Sequence, residues 1–154
     1  MRKSKINISG FKIGTAENRE GLTGVTVILA PDGGWAPAGV DVRGCAPGTR
    51  ETDLLDPRKT VQKIHAVVLS GGSAFGLEAA SGCVKYLAEQ GVGFPIGNVC
   101  VPIVCSAVLF DLMIGDEKAY PDLLMGYEAA KSASSEFLSG CNGAGTGATV
   151  GKLL

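Results

Sequence analysis

Apolar and β-branched residues gather in three stretches whose length and composition are typical of strands. They lie at residues 24–30 (GVTVILA), 63–70 (KIHAVVLS) and 99–104 (VCVPIV). Residues 38–43 (AGVDVR) alternate apolar and polar side chains, and we expect them to pair with 24–30 as a hairpin after a PDGG turn at 31–34. Pro102 predicts an edge strand or a bulge.

Two later stretches have the 3.6-residue periodicity of helices. The first helix is predicted for residues 74–90, with Ser73 as its N-cap and Gly91 as its terminator. The second is predicted for residues 121–137 and opens on a proline, which is favourable at a helix start. Residues 106–113 fit either a short helix or a strand.

Strands followed by helices and a last short strand favour a layered α/β sandwich over a doubly wound parallel sheet. We expect one domain over residues 1–154. The hydrophobic fraction of 45% and the net charge of -1 argue against disorder and against a nucleic-acid partner. No apolar run approaches the ~20 residues of a membrane span, so we expect no membrane partner and a soluble, cytoplasmic protein.

The 23 glycines follow no period, and they indicate tight turns and close backbone contacts. The five cysteines are odd in number, scattered, and include no CxxC pair. We therefore expect neither disulfides nor a metal site, and we interpret the cysteines as small buried hydrophobic residues. No cofactor is predicted.

The junction at residues 65–77 (HAVVLSGGSAFGL) is the most informative stretch, because a strand there breaks into glycines and restarts as a helix. Backbone N–H groups at Gly71, Gly72 and Ser73 would be bare, and the helix would add its own unpaired donors. This junction is predicted to form an oxyanion or substrate pocket.

The same junction does not fit a serine-hydrolase elbow, since Phe75 stands where G-x-S-x-G requires glycine. His65, the one histidine, precedes Ser73 and is interpreted as an ordinary strand residue. Carboxylates occur in two loose groups without a spacing that fixes a shared site. These are Glu51, Asp53 and Asp56, and Asp111, Asp116 and Glu117. No catalytic residue is predicted within the chain.

The run GAGTGATVGK at 143–152 resembles a phosphate loop, but Thr146 stands where the Walker pattern needs glycine. A Rossmann fingerprint would have to open a helix, and only six residues remain. Gly143, Gly145, Thr146 and Gly147 are therefore interpreted as a close backbone contact, either with another segment or with a ligand.

Several segments together resemble one family, the self-processing aminopeptidases of the DmpA type. That group includes L-aminopeptidase/D-esterases, β-peptidyl aminopeptidases and nylon-oligomer hydrolase relatives. The segments are TGVTVILA (23–30), AGVDVRG (38–44), PGTRETDLLDP (47–57), HAVVLSGGSAFGLEAA (65–80), GVGFPIG (91–97), VPIV (101–104), YPD (120–122) and GAGTGATVGK (143–152).

The resemblance implies a four-layer αββα sandwich, similar to the N-terminal-nucleophile (Ntn) hydrolases but with different connectivity. It also implies a precursor that cuts itself, so that a Thr or Ser becomes the first residue of a second, small chain. That residue would be the nucleophile and its α-amine the base. No GNTT-like or GS-like cleavage junction occurs here, so this chain resembles the N-terminal, large-chain part and is expected to be inert alone. An oxyanion-holding asparagine is likewise expected beyond residue 154.

Phe110 in SAVLFD occupies a slot that is tyrosine in some relatives. If that hydroxyl stabilises the oxyanion there, either the backbone near Gly72 and Ser73 replaces it here or the activity differs. A core aromatic is the plainer interpretation of Phe110.

The resemblance implies hydrolysis of small peptides, amides or esters at the N-terminal residue through an acyl-enzyme. It also implies homo-oligomers of chain pairs. Acyl transfer or endo-amide hydrolysis on the same fold is one alternative, and a non-catalytic module that binds a phosphorylated ligand is another.

Overall fold

A computed structural model describes residues 2–31 and 34–152. The strands within these ranges are β1 (Arg2–Lys5), β2 (Lys12–Asn18), β3 (Thr23–Leu29), β4 (Thr49–Arg50), β5 (Ala66–Ser70), β6 (Phe94–Ile96), β7 (Val99–Val101), β8 (Val104–Val108) and β9 (Glu136–Ser139). The α-helices are α1 (Ala79–Glu89) and α2 (Leu123–Lys131), and 3-10 turns cover Asp53–Leu55, Ser73–Glu78 and Gly143–Gly145.

The central sheet has five strands in the order β2-β3-β5-β8-β4. Among the strands described, only the β5–β8 pair is parallel, and the chain between these two strands passes through α1 and the β6–β7 hairpin. The antiparallel β2–β3 pair runs from Lys12 opposite Leu29 to Asn18 opposite Thr23. Strands β1 and β9 form a separate antiparallel pair.

Both helices pack on one face of this sheet, where alternate strand residues are fully buried. Val25, Val27 and Val68 are 0% exposed on that face. The helices approach closely because a Cβ at Gly126 would collide with the Ala79 carbonyl oxygen. Small residues at this contact therefore let α1 and α2 pack closely against each other.

The opposite face of the sheet carries apolar side chains that neither α1 nor α2 covers. Because strand side chains alternate, Thr26, Ile28 and Leu69 lie on this face, and Leu69 is 38% exposed. An open groove of about 460 Å³ runs over it, flanked by β9. The described residues thus supply one helical layer and one sheet of the expected four-layer sandwich.

The structure corrects several predicted elements. Residues 38–43 are irregular and mostly exposed, and β3 pairs with β2 and β5 instead. The second helix spans Leu123–Lys131 and not 121–137, and Phe137 lies instead in β9, opposite Ser4 of β1. Asp32 and Gly33 of the predicted turn lie outside the described residues, although the Gly34 N–H donates to the Pro31 carbonyl at 2.8 Å.

Other boundaries shift by a few residues. Pro102 separates β7 from β8, and the ambiguous 106–113 segment is strand only as far as Val108. The predicted first helix begins as a 3-10 turn, and no side chain caps it, so the capping role expected of Ser73 is wrong. Gly91 has a φ of +70° just after the helix end, as its predicted role requires.

His65 precedes β5, and its side chain is 2% exposed. Its Nδ1 accepts the Ile103 N–H at 2.9 Å, and its ring centroid lies 4.7 Å from that of Trp35. Burial lowers the pKa of this imidazole below its usual value near 6.5. The folded state therefore favours neutral His65.

We expect His65 to titrate below pH 6.5 in the folded protein, a midpoint that NMR can assign because the chain has one histidine. Because the unfolded state then binds more protons than the folded state, acid favours unfolding. The contribution of His65 to the free energy of unfolding is therefore fully present above about pH 6.5 and is lost as the pH falls through the folded-state pKa. A midpoint at or above 6.5 would contradict this account of the buried ring.

Candidate functional site

The predicted strand-to-helix junction lies at the end of β5 as a tight loop, residues 71–73. Gly72 has a φ of +77° and Ser73 a φ of +52°, so both residues occupy the left-handed region. Serine adopts that region with strain, unlike glycine. The surrounding structure must therefore hold this loop in place.

All of the loop's backbone N–H groups already have acceptors. The Gly71 N–H donates to the Gly24 carbonyl at 2.9 Å, and the Ser73 N–H donates to the Leu109 carbonyl at 3.0 Å. The Gly72 N–H donates to Asp111 Oδ1 at 2.6 Å. The expectation of bare donors at these positions is wrong. That the loop borders a substrate pocket stays a prediction.

Asp111 lies behind this loop and is 2% exposed. Its second oxygen, Oδ2, accepts the Thr23 hydroxyl at 2.8 Å. A Cβ at Gly71 would collide with this carboxylate and with the Thr23 hydroxyl. The glycine at 71 thus makes room for a buried carboxylate.

The second glycine-rich segment, residues 143–147, packs against β2 and β3. The Gly143 N–H donates to Glu17 Oε2 at 3.2 Å, and the Ala144 N–H donates to the Thr26 hydroxyl at 3.1 Å. Arg19 extends this network, because its guanidinium donates to Glu17 at 2.6 Å and to Asn142 Oδ1 at 3.0 Å.

Other amides of this segment close a local turn. The Gly145 N–H donates to the Asn142 carbonyl and the Thr146 N–H to the Gly143 carbonyl, each at 3.0 Å. These donors are not aimed outward as a phosphate cradle needs. A Cβ at Gly147 would collide with the Leu22 carbonyl oxygen and lie 3.0 Å from Asp111 Cβ. The two glycine-rich segments therefore meet at Asp111.

Exposed apolar side chains lie beside Asp111 and beside the 71–73 loop. Phe110, next to Asp111, is 44% exposed, so it is not a core aromatic within the described residues. It borders a cavity of about 620 Å³ with Met113 and Ile114. Phe75 and Tyr120 stack with ring centroids 4.7 Å apart, and both are exposed. Both are exposed apolar surfaces that an apolar substrate group can contact.

Only two of the cysteines fit the prediction of small buried residues. Burial raises the pKa of Cys83 to about 12 and that of Cys105 to about 11, as expected of inert thiols. The prediction is wrong for Cys45, Cys100 and Cys141, which are exposed.

Among residues 2–31 and 34–152, no three His, Cys, Asp or Glu side chains are grouped so as to hold a metal ion. No helix in the same ranges is long and apolar enough to cross a bilayer.

Sequence reasoning does not reveal the importance of Asp111, Thr23 and Tyr120. Along the chain Asp111 groups with Asp116 and Glu117, yet neither of these shares its hydrogen-bond partners. The sequence signal that points to Asp111 is its position directly after the SAVLF segment. Because β8 runs parallel to β5, a carboxylate at that position lies beside the end of β5.

Comparison with known proteins identifies the family of these segments. The model of peptidase family S58 matches residues 5–153. An uncharacterized aminopeptidase of Mycobacterium tuberculosis (strain ATCC 25618 / H37Rv) is 46% identical over 130 residues, covering 84% of this chain and 37% of the relative. A 6-aminohexanoate-oligomer endohydrolase of Kocuria sp. (strain KY2) is 35% identical over 150 residues, covering 97% and 39%. The resemblance seen in the motifs is confirmed.

A solved structure shows the fold. The L-aminopeptidase D-Ala-esterase/amidase from Ochrobactrum anthropi, described as a variant of the Ntn hydrolase fold, matches with a TM-score of 0.71 at 18% identity. The match covers 91% of this chain and 42% of that one. This mixed α/β unit therefore has the predicted fold class. The chain spans about two fifths of the length of the curated relatives it matches.

We expect Gly143→Ala to destabilise the protein by about 1–3 kcal/mol, because φ is +55° there and a Cβ would collide with the Thr26 hydroxyl. Gly39→Ala is the control, since a Cβ added there would have no neighbour within 4 Å, and it should change stability by less than about 1 kcal/mol. Urea unfolding measures both. Equal stabilities would show that the 143–147 segment is not packed as described.

Proposed function

This chain belongs to peptidase family S58, and from that premise we propose that it is the large-chain part of an aminopeptidase or amide hydrolase. The substrates are small peptides, amides or esters cleaved after their N-terminal residue. The family match across residues 5–153 carries the proposal. The nucleophile is a Thr or Ser at the start of a second chain, which self-cleavage of one precursor releases.

The proposed chemistry passes through an acyl-enzyme. The nucleophile's hydroxyl oxygen bonds to the substrate carbonyl carbon while the free α-amine of the same residue accepts the hydroxyl proton. The carbon–nitrogen bond then breaks, and the leaving amine takes that proton. Water next attacks the ester, releases the acid and restores the hydroxyl.

In this scheme the described residues form walls, and the oxyanion donors expected at the 71–73 loop and at position 110 are not available. The N–H groups of Gly71, Gly72 and Ser73 are occupied, and Phe110 has no hydroxyl. One oxyanion donor contributes roughly 3 kcal/mol of transition-state stabilisation. An active enzyme therefore needs other donors in place of these. We assign the donors to the second chain.

The uncovered sheet face supports a second part of the same protein. Ile28 and Leu69 lie on an apolar face, and a packed second sheet would lie about 10 Å above it. A second sheet with its own helices would complete the four layers. Further association of such pairs into homo-oligomers is also proposed.

A direct test uses the complete precursor and the 1–154 chain alone as its control. We expect the precursor to appear as two chains by intact mass and to release p-nitroaniline from aminoacyl anilides, while the isolated chain releases none. An uncut precursor without turnover would count heavily against the proposal.

Endo-amide hydrolysis is a second candidate, favoured by the likeness to a 6-aminohexanoate-oligomer endohydrolase over 97% of this chain. An N-acetylated amide discriminates between the two. An aminopeptidase rejects a blocked amine, whereas an endohydrolase cleaves it at a rate similar to that of the free amine.

We expect Leu69→Glu to prevent assembly with the second part, since it would bury an unpaired charge at a cost of several kcal/mol. Leu124→Glu is the matched control, because Leu124 is 63% exposed on α2. Size-exclusion chromatography of the processed protein reports assembly. Similar behaviour of the two variants would mean that the sheet face is not an internal surface.

A further inference from the structure

We propose that Asp111 is the positioning residue of the candidate site. Its buried carboxylate ties the 71–73 loop to Thr23 at the start of β3, and its Cβ lies against Gly147 of the 143–147 segment. The link to catalysis rests on the proposed function, in which this loop borders the reacting amide. The contacts that hold the loop do not depend on it.

Both oxygens of the carboxylate accept a hydrogen bond. Oδ1 accepts the Gly72 N–H at 2.6 Å, and Oδ2 accepts the Thr23 hydroxyl at 2.8 Å. Hydrogen bonds to an ionised carboxylate are about twice as strong as neutral ones. A buried carboxylate without partners is very unfavourable, so the charge and the loop conformation require each other.

The 71–73 loop needs these hydrogen bonds because its backbone is strained. Ser73 has a φ of +52°, and its N–H donates to the Leu109 carbonyl at 3.0 Å. Leu109 and Asp111 both follow β8, the strand parallel to β5. The end of β8 therefore holds two consecutive amides of the loop, one through backbone and one through a side chain.

Sterics give the same result independently of hydrogen bonding. A side chain at Gly71 would collide with the carboxylate itself, and one at Gly147 would lie 3.0 Å from Asp111 Cβ. In each glycine-rich segment, the residue next to Asp111 is therefore a glycine, because a larger side chain would not fit there. A displacement of about 1 Å in such a site costs on the order of 10²-fold in rate.

The experiment uses the complete precursor with three variants. Asp111→Leu removes both acceptors while keeping similar bulk. Asp111→Asn keeps an acceptor for the Gly72 N–H, and its amide can donate to the Thr23 oxygen. Leu87→Ala is the control for simple destabilisation, because Leu87 is a core residue of α1. It lies roughly 12 Å along the helix from Ala79, where α1 begins after the 71–73 loop and its 3-10 turn.

For Asp111→Leu we expect kcat per folded molecule to fall about 100-fold with a much smaller change in KM, because alignment of the reacting groups is lost. Amide hydrogen exchange at Gly72 and Ser73 should accelerate in the same variant. Asp111→Asn should recover most of kcat. Leu87→Ala should lower Tm and leave both readouts unchanged.

Equal kcat in Asp111→Leu and Leu87→Ala, or unchanged exchange at Gly72 and Ser73, would overturn the role of Asp111. If the unmodified precursor cleaves no amide, the proposed function fails, and exchange at Gly72 alone decides whether Asp111 holds the loop. If Asp111→Leu does not fold, Thr23→Val removes one bond to the carboxylate and should shift exchange and kcat in the same direction by a smaller factor.

Discussion

The structure depends on a sheet whose two faces are both apolar while only one is packed by helices. Val25, Val27 and Val68 are sealed beneath α1 and α2, whereas Leu69 on the opposite face is open to solvent in the described structure. Antiparallel sheets commonly leave one face polar and hydrated. An apolar second face is instead the pattern of a sheet inside a sandwich, and it gives the family resemblance a physical basis.

The buried carboxylate of Asp111 organises the edge where this sheet meets the glycine-rich segments. It accepts one of the three donors that the sequence suggests for an oxyanion, the Gly72 N–H. The glycines serve as sites of close approach, and the reactive groups are assigned to another part of the protein. The described residues add apolar surfaces to that division, one at the cavity beside Phe110 and one at the exposed Phe75–Tyr120 stack.

Sequence patterns predict the elements whose signal is local. The β-branched run of β3, the strand before Gly71 and the helix ending near Gly91 are all present, because composition and glycine placement decide them. Strands β1 and β9 are not predicted, since Arg2–Lys5 is charged and exposed, and its pairing with Glu136–Ser139 links opposite ends of the chain.

Long-range contacts also explain what the motifs could not show about the site. Glycine spacing located the 71–73 loop, but the acceptors that bind its N–H groups belong to residues 24, 109 and 111. The same holds for Asp111, whose partner Thr23 lies 88 residues away in the chain. Motifs identified the family, and tertiary contacts determined which atoms remain free.

Hydroxyl-radical footprinting of Leu69 and Ile28 tests the central claim most directly, that the open sheet face is internal in the complete protein. The account predicts strong protection of both side chains in the processed two-chain protein relative to the 1–154 chain, with Leu124 labelled equally in both. Equal labelling of Leu69 in the two samples would contradict it.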